Sequence, residues 1–346
     1  MFTYSAPYAR MRALKGRFLD QAKKESMLQS PDVASLISVL SQTDYWDQVQ
    51  NLTDPQQIEH ALRQNLISCY IKILSFLSGK PAQFITALLY RFELINLKSI
   101  VRAIINQSNP VETSSPFIFS LGRYHIIPIE KALEARDLES LIGLLKHTPF
   151  GRSLETGYQQ YEAKKSLMAL EIALDLGYYS ALQKAFDSLS MLDKGSAGKF
   201  MSIQYDINNL IWMLRFKEYH NFTPEQIYQY IIPKGWKIKG HNFWKMIEST
   251  DIIGVIKDNT IHPYSRILTP DAPSDVSSMI GVELALLRYL YGQSMKIMQG
   301  FPLRISSFIG FFIMKEMEIK DIMTILYGKS LDLSQDRIKS HLITFS

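Results

Sequence analysis

The stretch GSAGKF, at residues 195–200, is the part of the sequence that comes closest to a phosphate-binding loop. Such a loop needs four residues between its glycines, and a Ser or Thr after its Lys to hold magnesium. Here two residues separate Gly195 from Gly198, and Phe200 follows Lys199. We therefore interpret GSAGKF as an ordinary loop, and a nucleotide-binding helical enzyme stays open only as an alternative hypothesis.

Other residue types that carry chemistry are not grouped in a catalytic pattern. The seven histidines are scattered, with no HExxH motif and no pair at i, i+4, so they do not form a recognisable zinc site. The single cysteine, Cys69, lies in the apolar run NLISCYIKIL, which disfavours a reactive thiolate. No Gly-x-Ser-x-Gly elbow occurs. The sequence predicts no catalytic residue, no metal ligand and no cofactor.

Charged and amide side chains recur instead at long, nearly constant intervals. The stretches ELINLKSIVR (93–102), DINNLIWMLR (206–215) and EIKDIMTILY (318–327) start 113 and 112 residues apart. Upstream of each stretch is a glutamate followed three residues later by leucine, and these glutamates lie 112 residues apart, at Glu59, Glu171 and Glu283. Repetition of this kind indicates an internally repeated fold.

A third marker extends the match. The segment DVASLISVLSQTDY, from Asp32, aligns with DLESLIGLLKHTPF, from Asp137. DIIGVIKDNTIHPY, from Asp251, aligns only with a small insertion. We predict three related units at residues 1–112, 113–224 and 225–346.

Each repeated stretch must lie on a helix to place its polar groups. In the first, Leu94, Leu97 and Ile104 recur at helical spacing. Glu93 and Asn96 fall within or beside this apolar stripe, whereas Arg102 points to the opposite side. We interpret these groups as packing contacts with neighbouring helices, because buried polar groups need partners. The corresponding residues are Asp206, Asn209 and Arg215 in the second copy, and Glu318, Asp321 and Tyr327 in the third.

The third copy departs from the other two, with Asp321 for Asn and Tyr327 for Arg. The sequence leaves open whether it keeps their contacts. The helical pattern continues almost throughout the chain, so the predicted fold class is all-α. Segment 116–129 is the one run that is ambiguous between strand and helix.

Helix starts and loops are predicted from capping and turn residues. Ser30 with Pro31, and Thr223 with Pro224, each offer a cap followed by proline at the first helical position. Turn-forming residues predict loops, with 107–116 as the linker between the first two units. The predicted loops are 78–81, 107–116, 193–199, 232–235 and 269–275.

Composition bounds the class of protein. The chain has 346 residues, of which 47% are hydrophobic, and it is long enough for two or three domains. A single cysteine excludes a disulfide framework and points to a reducing cytoplasmic setting. The amino terminus carries no secretory signal, and the most apolar windows fall short of about 20 residues, so we predict no membrane span. The net charge of +5 is spread without a basic run, which argues against nucleic acid as a partner.

Several stretches together resemble a known family, namely the C subunit of archaeal and bacterial A/V-type ATPases, which corresponds to the d subunit of the vacuolar enzyme. The similarity covers nearly the whole chain, in order. It rests on YARMRALKGRFL, SLISVLSQTDY, ELINLKSIVRAI, LMALEIALDLGYYSAL, DINNLIWMLRFKEY and FIMKEMEIKDIMTILYGK.

The resemblance implies a funnel-like socket of three helical domains. It implies a rotor subunit without an active site, placed on the cytoplasmic face of a membrane. Its partners would be the central axle subunits of the ATPase head and the membrane proteolipid ring, with no small-molecule substrate. The alternative is a diverged helical scaffold or adaptor that binds another protein or nucleic acid. The ion, proton or sodium, and the direction, synthesis or hydrolysis of ATP, stay open.

Overall fold

The computed structural model describes residues 2–259, 261–269 and 278–344. Within these ranges the chain is helical and contains no β-strand, so the all-α prediction is confirmed. Short 3-10 helices occupy Phe2–Tyr4, Leu40–Gln42, Ser115–Phe117 and Gly122–Tyr124, the last two in or at the edge of the ambiguous run. The α-helices in chain order are α1 Ser5–Lys15, α2 Gln21–Gln29, α3 Val33–Val39, α4 Trp46–Val49, α5 Pro55–Leu74, α6 Gly79–Ile105, α7 Pro110–Thr113, α8 Ile129–Leu133, α9 Leu138–Leu145, α10 Gly151–Lys164, α11 Leu167–Asp187, α12 Met191–His220, α13 Pro224–Gln229, α14 Gly240–Glu248, α15 Ile252–Asp258, α16 Tyr264–Ile267, α17 Met279–Gln299, α18 Ile305–Ser330 and α19 Gln335–Ser340.

The chain forms two compact units. The first comprises residues 1–66 and 191–346, and the second comprises residues 67–190, so the boundary falls within α5. In the second unit, α11 packs against both α6 and α10. In the first unit, α17 packs against α18, and α12 contacts both of them.

The long helix α18 is buried along most of its length, including Phe308, Phe311 and Phe312. Every residue from Ile305 to Lys315 is buried, as expected for a stretch of helix with neighbours on every side. The neighbours within its unit are α1, α3, α12, α17 and α19. This position explains why the polar residues of α18 need partners from several chain segments.

One of the two predicted helix caps is confirmed. Thr223 caps α13 through a capping box, with Pro224 at the first position. The cap predicted at Ser30 is wrong, because α3 is capped by Asp32, whose carboxylate accepts a bond from the Ser35 N–H at 2.8 Å. The Ser30 hydroxyl instead donates to the carbonyl of Ser26, in the helix before it.

The loop predictions have mixed outcomes. Segment 232–235 is non-helical, as predicted, and 107–116 holds turns, α7 and the start of a 3-10 helix. The loop predicted at 78–81 is wrong beyond Ser78, because α6 begins at Gly79. Most of the predicted loop at 269–275 lies outside the described residues.

The segment that contains GSAGKF is also not a loop, because it lies in the first turns of α12. Its residues Ala197 and Phe200 are buried, as is the next residue, Met201. Their burial on one side of the helix outweighs the weak helix propensity of the two glycines, roughly 1 kcal/mol each.

Two predictions about the apolar segments can be compared with the structure. Cys69 is buried, as its apolar surroundings predict. None of the described helices combines the length and the apolarity that crossing a membrane requires.

Candidate functional site

The repeated polar residues lie on the three longest helices, α6, α12 and α18. All six acidic and amide positions of the repeat are buried there, with at most 3% of their surface exposed. A buried carboxylate or amide is stable only when its polar atoms are paired. The six residues are Glu93, Asn96, Asp206, Asn209, Glu318 and Asp321.

Glu93 binds the segment that follows the 3-10 helix of Gly122–Tyr124. Its Oε1 accepts the N–H of Ile126 at 2.9 Å and lies 2.9 Å from Nδ1 of His125. The N–H of Leu121 donates to Nε2 of the same imidazole at 2.9 Å, so Nε2 carries no proton and Nδ1 donates to Glu93. The second oxygen, Oε2, is buried and has no partner within the described residues.

Asp206 has more partners than Glu93. Its Oδ2 accepts the N–H of Lys237 at 2.7 Å and the hydroxyl of Tyr264 at 3.0 Å, and its Oδ1 accepts the N–H of Ile238 at 3.0 Å. Burial raises the pKa of Asp206, and these hydrogen bonds partly oppose the rise. Any side chain at Gly235 would collide with Oδ1, so the loop needs glycine at this point.

Glu318 joins the chain's first segment to its last long helix. Its Oε2 accepts the N–H of Leu19 at 2.7 Å, and its Oε1 accepts the hydroxyl of Tyr45 at 2.7 Å. Lys315, also buried, donates to Oε1 at 3.1 Å, and its ammonium lies 4.0 Å from the centre of the Tyr45 ring. This lysine is specific to the third copy, and it compensates the buried charge.

The two asparagines make the same contact. Asn96 donates to the carbonyl of Phe119 at 2.9 Å and accepts its N–H at 2.8 Å. Asn209 does the same with Ile232, at 2.9 and 2.8 Å. In each case the partner lies 23 residues further along the chain. An amide suits this role because it carries both a donor and an acceptor.

Asp321 makes an altered form of this contact. A carboxylate only accepts, and Asp321 binds the N–H groups of Ile343 and Thr344 at 2.7 and 2.8 Å, together with the Thr344 hydroxyl at 2.6 Å. Burial raises the pKa of Asp321, opposed by these bonds. In the first two copies the bound segment offers the asparagine one N–H donor and one carbonyl acceptor. In the third copy the bound segment offers Asp321 three donors.

The upstream glutamates pair with the residues that close the repeated stretches. Glu171 on α11 binds Arg102 on α6 through two contacts of 2.6 and 2.9 Å. Glu283 on α17 binds Arg215 on α12 at 2.7 Å. Arg102 therefore binds a residue of another helix, as predicted from its position on the side of α6 opposite to Glu93.

The third such pair is chemically different. Tyr327 on α18 donates to Oε2 of Glu59 on α5 at 2.6 Å, and burial together with this bond raises the pKa of Tyr327 to about 12. The charge of Glu59 is balanced by Arg63 on the same helix, at 2.8 Å. Two of the pairs are therefore ion pairs between helices, whereas the third is a single hydrogen bond from a neutral group.

The buried carboxylates were identified from the sequence as polar positions, but most of their partners were not. Glu93 and Asp206 bind mainly residues of loop segments, rather than neighbouring helices as we expected. The tyrosines Tyr45 and Tyr264 both end copies of the third marker, which was the one available signal for their role.

No chemical site emerges from these clusters. In the part of the chain that the structure describes, no group of three or more His, Cys, Asp and Glu side chains could hold a metal ion. The Gly195–Gly198 segment is helical and so cannot wrap around a phosphate as a glycine-rich loop does. The arrangement is suited to fixing chain segments to long helices.

Comparison with known proteins gives consistent matches over nearly the whole chain. A family model described as ATP synthase (C/AC39) subunit matches residues 7–341. Relatives named as the C subunit of A-type ATP synthase include that of Methanocaldococcus jannaschii, 23% identical over 98% of this chain and 87% of the relative. That of Methanosphaera stadtmanae is 26% identical over 95% and 84%, and that of Haloferax volcanii is 25% identical over 97% and 96%.

Proposed function

Since the chain belongs to the ATP synthase (C/AC39) subunit family, we propose that it is a non-catalytic rotor subunit in the central stalk of a rotary A/V-type ATPase. The observation that carries this proposal is the family match over residues 7–341. In this role the chain couples the axle of the soluble head to the membrane proteolipid ring, for proton or sodium transport. The match agrees with the resemblance drawn from the sequence.

The buried polar clusters support a mechanical role. A subunit that transmits torque must resist deformation, and satisfied polar networks in a low-dielectric interior make a fold rigid. Asp206 alone fixes a loop backbone and a tyrosine from two further segments of its unit. Such contacts provide stiffness without any catalytic group.

The repeat boundaries and the location belong to the same proposal. We retain three sequence repeats at 1–112, 113–224 and 225–346, because Asn96 and Asn209 make equivalent contacts with partners at the same chain separation. That these repeats form a socket is proposed from the family resemblance alone. The chain is placed on the cytoplasmic face of the membrane as a peripheral part of the complex. Its mild positive charge suits a position near anionic lipid.

A pull-down tests the proposal directly. The tagged chain is isolated from gently detergent-solubilised membranes of the native host, and the retained proteins are identified by mass spectrometry. A tag-only strain serves as the control, and a nuclease and high-salt wash removes partners that are held only through nucleic acid. We expect the proteolipid together with axle and nucleotide-binding head subunits.

Recovery of a partner-free chain, or only of unrelated proteins, would contradict the rotor role. The scaffold or adaptor hypothesis would then be preferred.

A further inference from the structure

An open apolar groove lies between α17, α18 and α19, in the compact unit formed by residues 1–66 and 191–346. It has a volume of about 460 Å³. Leu284 and Leu287 of α17 line it, together with Met323 of α18 and Leu333 from the turn before α19. A cavity of this size can receive several side chains of a ligand or partner.

The apolar surface continues to the edges of the groove. Ile280 at the start of α17 is 62% exposed, and Leu331, the residue that follows α18, is 68% exposed. Both line the groove. Scattered exposed apolar side chains are normal, but a continuous exposed apolar patch marks an interaction site.

The charged residues of the groove are mainly basic. Lys320, which is half-buried, and Arg337, which is exposed, form no ion pair within the described residues. The one carboxylate in the lining, Glu283, is already bound to Arg215 at 2.7 Å. The copies differ here, because the positions that correspond to Lys320 hold Ile95 and Asn208. A half-buried ammonium without an anion favours a partner that supplies one.

We propose that this groove is the docking site for an amphipathic helix of a partner protein, whose apolar stripe is flanked by Asp or Glu. The apolar side chains of that helix enter the groove beside Leu284 and Met323, and its carboxylates face Lys320 and Arg337. This is the helix-in-groove mode of recognition. A concave site suits the convex face of a helix, whereas a bilayer surface is flat and would contact only the rim.

The inference goes beyond the function proposed above, because it concerns the chemistry of the partner and holds whichever protein supplies the helix. Its test is separate from the pull-down. Failure to recover ATPase subunits would refute the rotor role, and the outcome at the groove would still decide the docking proposal.

Site-specific photo-crosslinking of the full chain in its native host provides the first test. A photoreactive residue replaces Leu331, and the control places it at Tyr219, which is 60% exposed in the same unit but does not line the groove. We expect the Leu331 position to capture one protein segment that carries apolar residues at i, i+3, i+4 and i+7 and more acidic than basic residues.

The captured segment is then synthesised as a peptide and its binding is measured by fluorescence anisotropy. Arg337→Glu should weaken binding at least tenfold, whereas Lys339→Glu, the same charge change two residues along α19 and outside the groove lining, should change it less than twofold.

Capture of lipid, of a segment of the same chain, or of a basic or non-amphipathic segment would overturn the proposal. So would a Leu331 yield no higher than the Tyr219 control, or equal effects of the two charge reversals.

Discussion

The unpaired oxygen Oε2 of Glu93 suggests a substitution that should stabilise the protein. The two equivalent carboxylates each accept a bond from a tyrosine, Tyr264 at 3.0 Å and Tyr45 at 2.7 Å. These tyrosines end two of the three aligned marker segments, and the remaining segment ends in Phe150. The alignment predicts that a hydroxyl added to the ring of Phe150 will reach Glu93 Oε2.

The expected gain for Phe150→Tyr is about 1 kcal/mol in the free energy of unfolding, because a buried acceptor without a partner gains a hydrogen bond. Phe150 is only 1% exposed, so a hydroxyl there cannot be satisfied by solvent. Without a partner it would cost about 1–3 kcal/mol. The sign of the change therefore decides whether the alignment is correct.

The measurement is thermal unfolding of the full chain by calorimetry. We expect Phe150→Tyr to raise Tm by about 1–2 °C, because the unfolding entropy of a 346-residue chain is large. The reverse change, Tyr264→Phe, should lower Tm by a similar amount, because Asp206 loses one of its donors. A drop in Tm for Phe150→Tyr, or an equal rise in a Glu93→Met background, which offers the hydroxyl no carboxylate or amide, would refute the reasoning.

Three further predictions concern single contacts. Gly235→Ala should destabilise the chain by about 2 kcal/mol or more, because the added methyl group collides with Asp206 Oδ1. Gly195→Ala should instead stabilise it by about 0.5–1 kcal/mol, because Gly195 lies in a helix and the added methyl group has no neighbouring side chain within 4 Å. Equal urea midpoints for the two variants would contradict this. Burial raises the pKa of Asp206, so the folded state binds this proton more tightly than the unfolded state does. The free energy of unfolding of the wild type, measured relative to that of Asp206→Asn, should therefore fall as pH rises from about 4 through the folded-state pKa. A difference that grows with pH would reverse the sign that we expect. Arg102→Gln and Tyr327→Phe should each lower the free energy of unfolding by less than about 1 kcal/mol. Only the loss caused by Arg102→Gln should become smaller between 50 mM and 1 M NaCl, because only the Arg102–Glu171 contact joins two charges. Equal salt dependence of the two variants in melting experiments would argue against a neutral tyrosine in the third pair.

The features that could be predicted from the sequence depend on local spacing. Helical periodicity around Glu93 and Asn96 indicates both the helix and the burial of these residues, because positions three and four apart share one face. The capping box at Thr223 is equally local. The family resemblance draws on many such short signals in order along the chain.

The GSAGKF segment shows where local rules fail. Its glycines suggest a loop, yet burial of Ala197 and Phe200 on one helix face keeps it helical. The energy of tertiary packing exceeds the cost of two glycines, and it is not encoded in the segment itself.

Only the tertiary structure decided which groups satisfy the buried carboxylates. Glu318 accepts from Leu19, 299 residues earlier, and Asp321 exchanges the asparagine contact for several donors near the end of the chain. A hydrogen bond depends on distances of about 3 Å between segments brought together by folding, and sequence spacing does not determine them. The sequence thus determined most of the helices and the buried polar positions of the repeated stretches, and the packing of distant segments determined their partners.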